Sequence, residues 1–261
     1  MRIDTFTVEC DPPATIRWVH DCFENTVALA SFQAKQPTLE VRCTMGIRLS
    51  EHNPYNFLLE SRAVNYPFNH TPVEKQALHC HLGTIAASDS REVLSWYCRI
   101  MPDQPRETSL LLSQLNRRIY EQFRYVRRDD PGVQTPDETL RLQSGACRDL
   151  AWLFIAATRQ LGFASRFVSG YIAEPDKPDA SQADNRAQGS MHAWAEVYLP
   201  GAGWKGYDPT NGILATSAFV ATAVSDHPGW ANPIQGTYLH PDPQPVTLDV
   251  DLKITSSSAH S

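Results

Sequence analysis

The chain has 261 residues, more than one small domain needs and enough for two, because domains cluster near roughly 100–150 residues. Hydrophobic residues at 42% and charged residues at 20% are ordinary globular usage, and no run of about 18 apolar residues is present to cross a bilayer. A net charge of −6 lacks the basic face that nucleic acid or an anionic membrane requires, so neither is an expected partner.

The first 65 residues or so read as strands. "RIDTFTVE", "TIRWVHD", "NTVALASFQ" and "TLEVRCTMGIRLSE" alternate faces with period two, and "DPP", "FEN" and "AKQP" punctuate them. This pattern predicts a small antiparallel β-sandwich with one polar face. Polar and apolar residues alternate from Met1 onward, with no basic region followed by a continuous apolar one. A secretory signal is therefore not expected, and a cytoplasmic location is.

From about residue 66 the texture changes. "NYPFNHTPVEKQAL" reads as a Pro-containing linker, and "DSREVLSWYCRIM" and "PRETSLLLSQLNRRIYEQFRYV" have helical spacing. Leu111, Leu115, Ile119 and Phe123 recur at steps of four, a core stripe. "DETLRLQ" reads as a short helix capped by Thr135 or Asp137. After the segment at Cys147 come a strand, "SRFVSGYIAE", and a polar loop over 175–190. "MHAWAEVYLP", "GWKGYD" and "VTLDVDLKIT" follow as strands, and the tail "SSSAHS" is expected to be disordered. The fold class is α+β, with an N-terminal β domain over 1–82 and a second domain over 83–261.

The six cysteines, Cys10, Cys22, Cys43, Cys80, Cys98 and Cys147, form no C-x-x-C pair, and most are expected to be reduced, buried and inert. His79-Cys80-His81, with His70 nearby, offers two imidazoles on one strand face, but no second pair at zinc-site spacing exists. No metal site is expected. Neither G-x-x-x-x-G-K-S/T nor G-x-G-x-x-G occurs, so no nucleotide or organic cofactor is expected either.

Cys147 stands apart by position. In "GACRDLAWLFIAATRQLG", Leu150, Leu153, Phe154, Ala157 and Leu161 share one helical face, Gly162 supplies the stop, and Cys147 falls in the first turn. There the free N–H groups and the positive end of the helix dipole favour thiolate over thiol, and the same amides can bind an oxyanion. Taken alone, such a cysteine is better explained as a buried core thiol. A nucleophile needs a base, and the base an orienting acceptor. The stretch 192–208 offers both across a Pro200-Gly201-Ala202-Gly203 turn. If Leu199 pairs near residue 202 or 203, His192 comes opposite 209 or 210. Asp208 then lies beside it at roughly the 5 Å separation of neighbouring strands.

"SGACRDLAWLFIAATRQLGFASRFVSGYI" and "HAWAEVYLPGAGWKGYDPTNG" closely resemble the transglutaminase-like superfamily, in particular bacterial members with an N-terminal β domain, over roughly 105–212. The resemblance implies a papain-like core in which Cys147 of the G-x-C-x-D block is the nucleophile, His192 of H-A-W the general base and Asp208 of D-P-T-N the orienting acid. It implies acyl transfer from peptide or glutamine-type amides. Hydrolysis is the first expectation, transamidation the alternative, and a non-catalytic peptide-binding module the second alternative. The oxyanion hole would use the Cys147 N–H and a second donor, for which Gln143 and Trp96 are candidates. Trp194, two residues from His192, is a candidate to line the substrate groove. Asp149 can favour the first helical turn, and Asn211 can cap the turn that follows Asp208. The expected partner is a peptide or protein substrate; oligomeric state is left open.

Overall fold

The computed structural model describes residues 2–33, 36–50, 53–83, 90–128, 132–173, 191–237, 247 and 249–255. The proposed loop over 175–190 and the "SSSAHS" tail lie outside the described residues. The chain divides into two compact units, Met1–His52 and Asn53–Ser261.

In the first unit β1 (Arg2–Asp11) pairs antiparallel with β4 (Glu40–Arg48), and β2 (Thr15–His20) with β3 (Thr26–Ser31). The turn between β2 and β3 is held by Asp21, whose carboxylate accepts the Phe23 and Asn25 backbone N–H groups and the Asn25 side-chain amide. The period-two pattern thus produces strands as expected, in two separate two-stranded ladders. Phe6 of β1 meets Trp18 of β2 edge-on at 5.7 Å.

The second unit begins before the proposed boundary at 82/83. Phe57, Leu59, Tyr66 and Phe68 pack against its core, Tyr66 stacks on Phe163 at 5.3 Å, and the Glu60 N–H donates to the Pro200 carbonyl. The apolar residues of the expected linker thus cover a core formed later in the chain. That linker also folds locally: Pro72–Ala77 is a short helix (α1), because Thr71 and Glu74 form a reciprocal capping box and Pro72 suits the first turn.

The helices α2 (Ser90–Ile100) and α3 (Thr108–Gln122) follow, then β5 (Arg124–Tyr125), α4 (Pro136–Leu142) and β6 (Ser144–Gly145). Leu111, Leu115 and Ile119 are fully buried and Phe123 nearly so, as their spacing predicts. Thr135 caps α4 in a second capping box with Glu138. Next come α5 (Cys147–Gln160), β7 (Ser165–Ile172), β8 (Met191–Leu199), β9 (Gly203–Asp208), β10 (Ile213–Leu214) and β11 (Phe219–Ser225), the last five forming one antiparallel sheet in the order β10-β9-β8-β7-β11. α5 packs on β7 and β8. Leu150, Leu153 and Phe154 meet Ala195, Val197, Leu199 and Tyr207 in one core. Each such large side chain contributes about 1.5–3 kcal/mol through burial.

Several expectations are corrected. β11 adds a strand to those expected, because "FVATAVS" follows a run of turn residues and lacks clear polar–apolar alternation. Of "VTLDVDLKIT", residues 249–255 are irregular rather than a strand. His79–His81 is a 3-10 turn, not a strand, and the His81 ring rests edge-on against Trp204. Among the described residues no group of three or more His, Cys, Asp or Glu is arranged so that it could hold a metal ion. No cysteine is in a disulfide, but Cys22, in the turn after β2, and Cys43, Cys80 and Cys98 are exposed rather than buried. Among the described residues no helix is long and apolar enough to cross a membrane.

Candidate active site

The path of the chain brings Cys147 to the head of β8. α5 ends at Gln160 and β7 begins at Ser165, so the strand returns antiparallel along the helix. Fourteen helical residues span about 21 Å and eight strand residues about 26 Å. The first turn of α5 therefore lies near the far end of β7, where Gly170 pairs with His192 and Tyr171 with Met191.

The hairpin supplies the next step. Leu199 pairs with Gly203 and Ala195 with Tyr207, which continues to His192 opposite 210 and places Asp208 diagonally across from it. The imidazole Nε2 and the Asp208 Oδ2 are 2.9 Å apart, with both side chains fully buried. Asp208 also accepts the Thr210 backbone N–H at 2.9 Å and the Asn211 side-chain amide at 2.7 Å. Two amide donors already converge on this buried carboxylate, and Nε2 faces it as a third partner in the position of a donor. Asn211 thus steadies the acid itself, a role beyond capping the turn.

The other ring nitrogen, Nδ1, makes no hydrogen bond of ordinary geometry. Burial acts most strongly on His192 and disfavours its cation. The charge and hydrogen bond of Asp208, helped by Cys147, override burial and raise the imidazole to about 10. Cys147 therefore interacts with His192 without a tight bond between them. The thiol is half-buried and not in a disulfide.

The start of α5 is clamped from several directions. Asp149 is fully buried; its carboxylate accepts the Ala146 N–H at 2.8 Å, the Gln134 N–H at 2.8 Å and the Arg128 guanidinium at 2.7 Å. It satisfies a donor at the helix start and ties Arg128 and Gln134 to the turn that carries Cys147.

The remaining sequence-predicted residues fall elsewhere. Trp194 is only 2% exposed, so it does not present a face to a groove. Its ring lies beside His192 at 6.3 Å, and Phe219 packs against both rings. The indole fits because Gly170 and Gly206 carry no side chain: a Cβ on Gly170 would come within 2.8 Å of it and one on Gly206 within 3.4 Å. Trp96 is buried as well, donating to Gln122 Oε1 at 3.3 Å and packing edge-on against Phe123. The Gln143 amide turns back to donate to the Leu140 carbonyl. The indole and amide donors of Trp96 and Gln143 are thus engaged by Gln122 and Leu140. Sequence reasoning missed Phe219, on the unexpected β11, and Tyr125, whose hydroxyl feels both Cys147 and Asp208. The β-branched and aromatic content of "FVATAVS" is a signal for the first; the second depends on a pairing between β5 and β6 that no local pattern reveals.

An α+β core with a cysteine-headed helix on an antiparallel sheet is the class that this fold defines. Residues 103–209 match the family model described as the transglutaminase-like superfamily. The uncharacterised protein Rv2569c of Mycobacterium tuberculosis is 31% identical over 150 residues, which cover 54% of this chain and 46% of that protein. The uncharacterised protein ML0607 of Mycobacterium leprae is 33% identical over 94 residues, covering 36% of this chain and 32% of that one. The chain thus matches less than half the length of these relatives. A crystal structure of a candidate cysteine protease from Cytophaga hutchinsonii shares the fold, with a TM-score of 0.60 at 16% identity over 87% of this chain and 72% of that one.

Proposed function

We propose that the chain is a thiol acyl-transfer enzyme that hydrolyses peptide or glutamine-type amides. The observation that carries this reading is the buried 2.9 Å contact between His192 and Asp208 at the end of the sheet where α5 presents Cys147. The Cys147 thiolate attacks the amide carbonyl carbon, and the carbonyl π electrons move onto oxygen. His192, held as imidazolium by Asp208, gives its proton to the departing amine as the tetrahedral intermediate collapses. Water, deprotonated by the then neutral His192, attacks the thioester and releases the acid. Hydrolysis takes precedence over transamidation because water is always at hand, whereas a competing amine needs a groove of its own. Asn211, Thr210 and Trp194 act as positioning residues for Asp208 and His192.

The test offers glutamine-containing and other peptides to the wild type and to Cys147→Ala, with and without a primary amine. Release of ammonia or of a new amino terminus by the wild type alone is the expected outcome. Incorporation of the amine in preference to hydrolysis would replace this reading with transamidation, and turnover by Cys147→Ala would remove it.

A further inference from the structure

A tetrahedral intermediate on Cys147 needs two donors for its oxygen, and the first turn of α5 supplies one in the Cys147 N–H. The Trp96 indole is bonded to Gln122 and the Gln143 amide to Leu140, so neither supplies the other. Tyr125 is differently placed. β5 runs parallel to β6 with Tyr125 opposite Gly145, and the Val126 N–H donates to the Gly145 carbonyl at 2.9 Å. The strand bearing the phenol is thereby fixed to the turn that delivers Cys147 two residues later. Tyr125 is half-buried, and its hydroxyl lies within electrostatic reach of both Cys147 and Asp208, with Arg127 and Arg148 on the same group.

We propose that the Tyr125 hydroxyl is the second oxyanion donor, completing with the Cys147 backbone N–H the hole that receives the substrate carbonyl oxygen. The inference rests on the reading of Cys147 as nucleophile. When the thiolate adds to the carbonyl carbon, the negative charge that appears on oxygen accepts one hydrogen bond from the amide and one from the phenol. When the intermediate collapses, the oxygen regains its double bond, and the phenol keeps its proton throughout. The surroundings keep that proton in place. Burial first, then the negative charges of Cys147 and Asp208, raise the phenol above its ordinary range despite Arg127 and Arg148, so it stays a donor at neutral pH. Tyr125 is in this sense a catalytic residue, in contact with the reacting atom.

Two reagents separate this role from a structural one. Acylation by p-nitrophenyl acetate passes through an oxyanion, whereas alkylation by iodoacetamide displaces iodide at a saturated carbon and forms none. Both are measured on the intact protein, with Cys147→Ala as the background for the exposed cysteines. Tyr125→Phe should slow acylation of Cys147 on the order of 10²-fold, the scale of losing one oxyanion donor, and leave alkylation within about two-fold of the wild type. Equal acylation by the variant and the wild type overturns the proposal. A parallel loss of both reactions, or a shift in the pH profile of alkylation, also overturns it, by showing that the phenol acts through the thiolate or through Asp208. If Cys147→Ala reacts with both reagents as the wild type does, the reading of Cys147 as nucleophile fails instead, which keeps the two failures distinct.

Discussion

The two compact units use the same period-two alternation to different ends. In the first, Ile3, Phe6, Trp18 and Leu29 remain 47–53% exposed, and no large side chain among its described residues is fully buried. In the second, α5 closes over β7 and β8, and Leu150, Leu153, Phe154, Ala195, Val197 and Leu199 are entirely buried. A ladder without a covering layer keeps half its apolar surface in water, whereas a sheet covered by a helix can also enclose charge. His192, Asp208 and Asp149 are buried only in the second unit, each held by hydrogen bonds that make burial tolerable. A site that must hold an ionised pair out of water is thus confined to the covered sheet.

The largest effect that tests this contrast comes from Asp208→Asn. Burial disfavours the His192 cation, and the Asp208 charge overrides it and holds the group protonated to about 10. The amide variant keeps the burial and removes the charge, so the imidazole pKa falls and the ring becomes neutral at neutral pH. Removing the acid also removes what selects the Nε2 proton. On the proposed mechanism, peptide hydrolysis at pH 7 should fall by about 10⁴-fold, the scale of losing the orienting acid of a triad. The sign in the pH profile follows: the wild-type rate should decline only as pH rises toward 10, and the residual rate of the variant should decline at lower pH. A basic limb that does not move would show that Asp208 does not set the charge of His192.

Much of this site is legible in the sequence because it is built from local rules. The helix at Cys147 follows from apolar steps of three and four, and the His192–Asp208 pairing follows from a tight Gly-Pro turn whose register is fixed by its length. What could not be read depends on partners distant in the chain. Nothing near Tyr125 announces that a two-residue strand will bridge to Gly145, and nothing near Phe57 or Tyr66 says that the core they cover is formed by Phe163 and its neighbours. Trp194 illustrates the same limit. Its spacing from His192 is right for a shared face, but whether that face is open or covered depends on Gly170, Gly206 and Phe219, which lie on other strands.

The next effect in size concerns stability. Leu153 is fully buried in α5, and Leu153→Ala should cost about 2–5 kcal/mol, read as a lowered urea midpoint with an unchanged slope. A cost below about 1 kcal/mol would mean that the covered layer repacks freely and that the contrast between the two units is overdrawn.

The smallest expected effect lies on the other side of that contrast. Phe6 is 47% exposed and meets Trp18 at 5.7 Å with the rings inclined by 62°. Its truncation forfeits half the burial of one aromatic side chain and a single edge-on contact. Phe6→Ala should therefore cost about 1 kcal/mol, well short of the roughly 3–5 kcal/mol typical of an enclosed phenylalanine. The same urea titration, repeated across roughly a hundredfold range of protein concentration, turns this into a sharp test. A cost that stays small at every concentration fits a ladder whose apolar face meets water. A cost that approaches that of Leu153→Ala, and that grows with concentration, would instead show that a second copy covers the face in solution. Stability would then depend on protomer concentration by mass action, and the apparent difference between the two units would belong to the isolated chain alone.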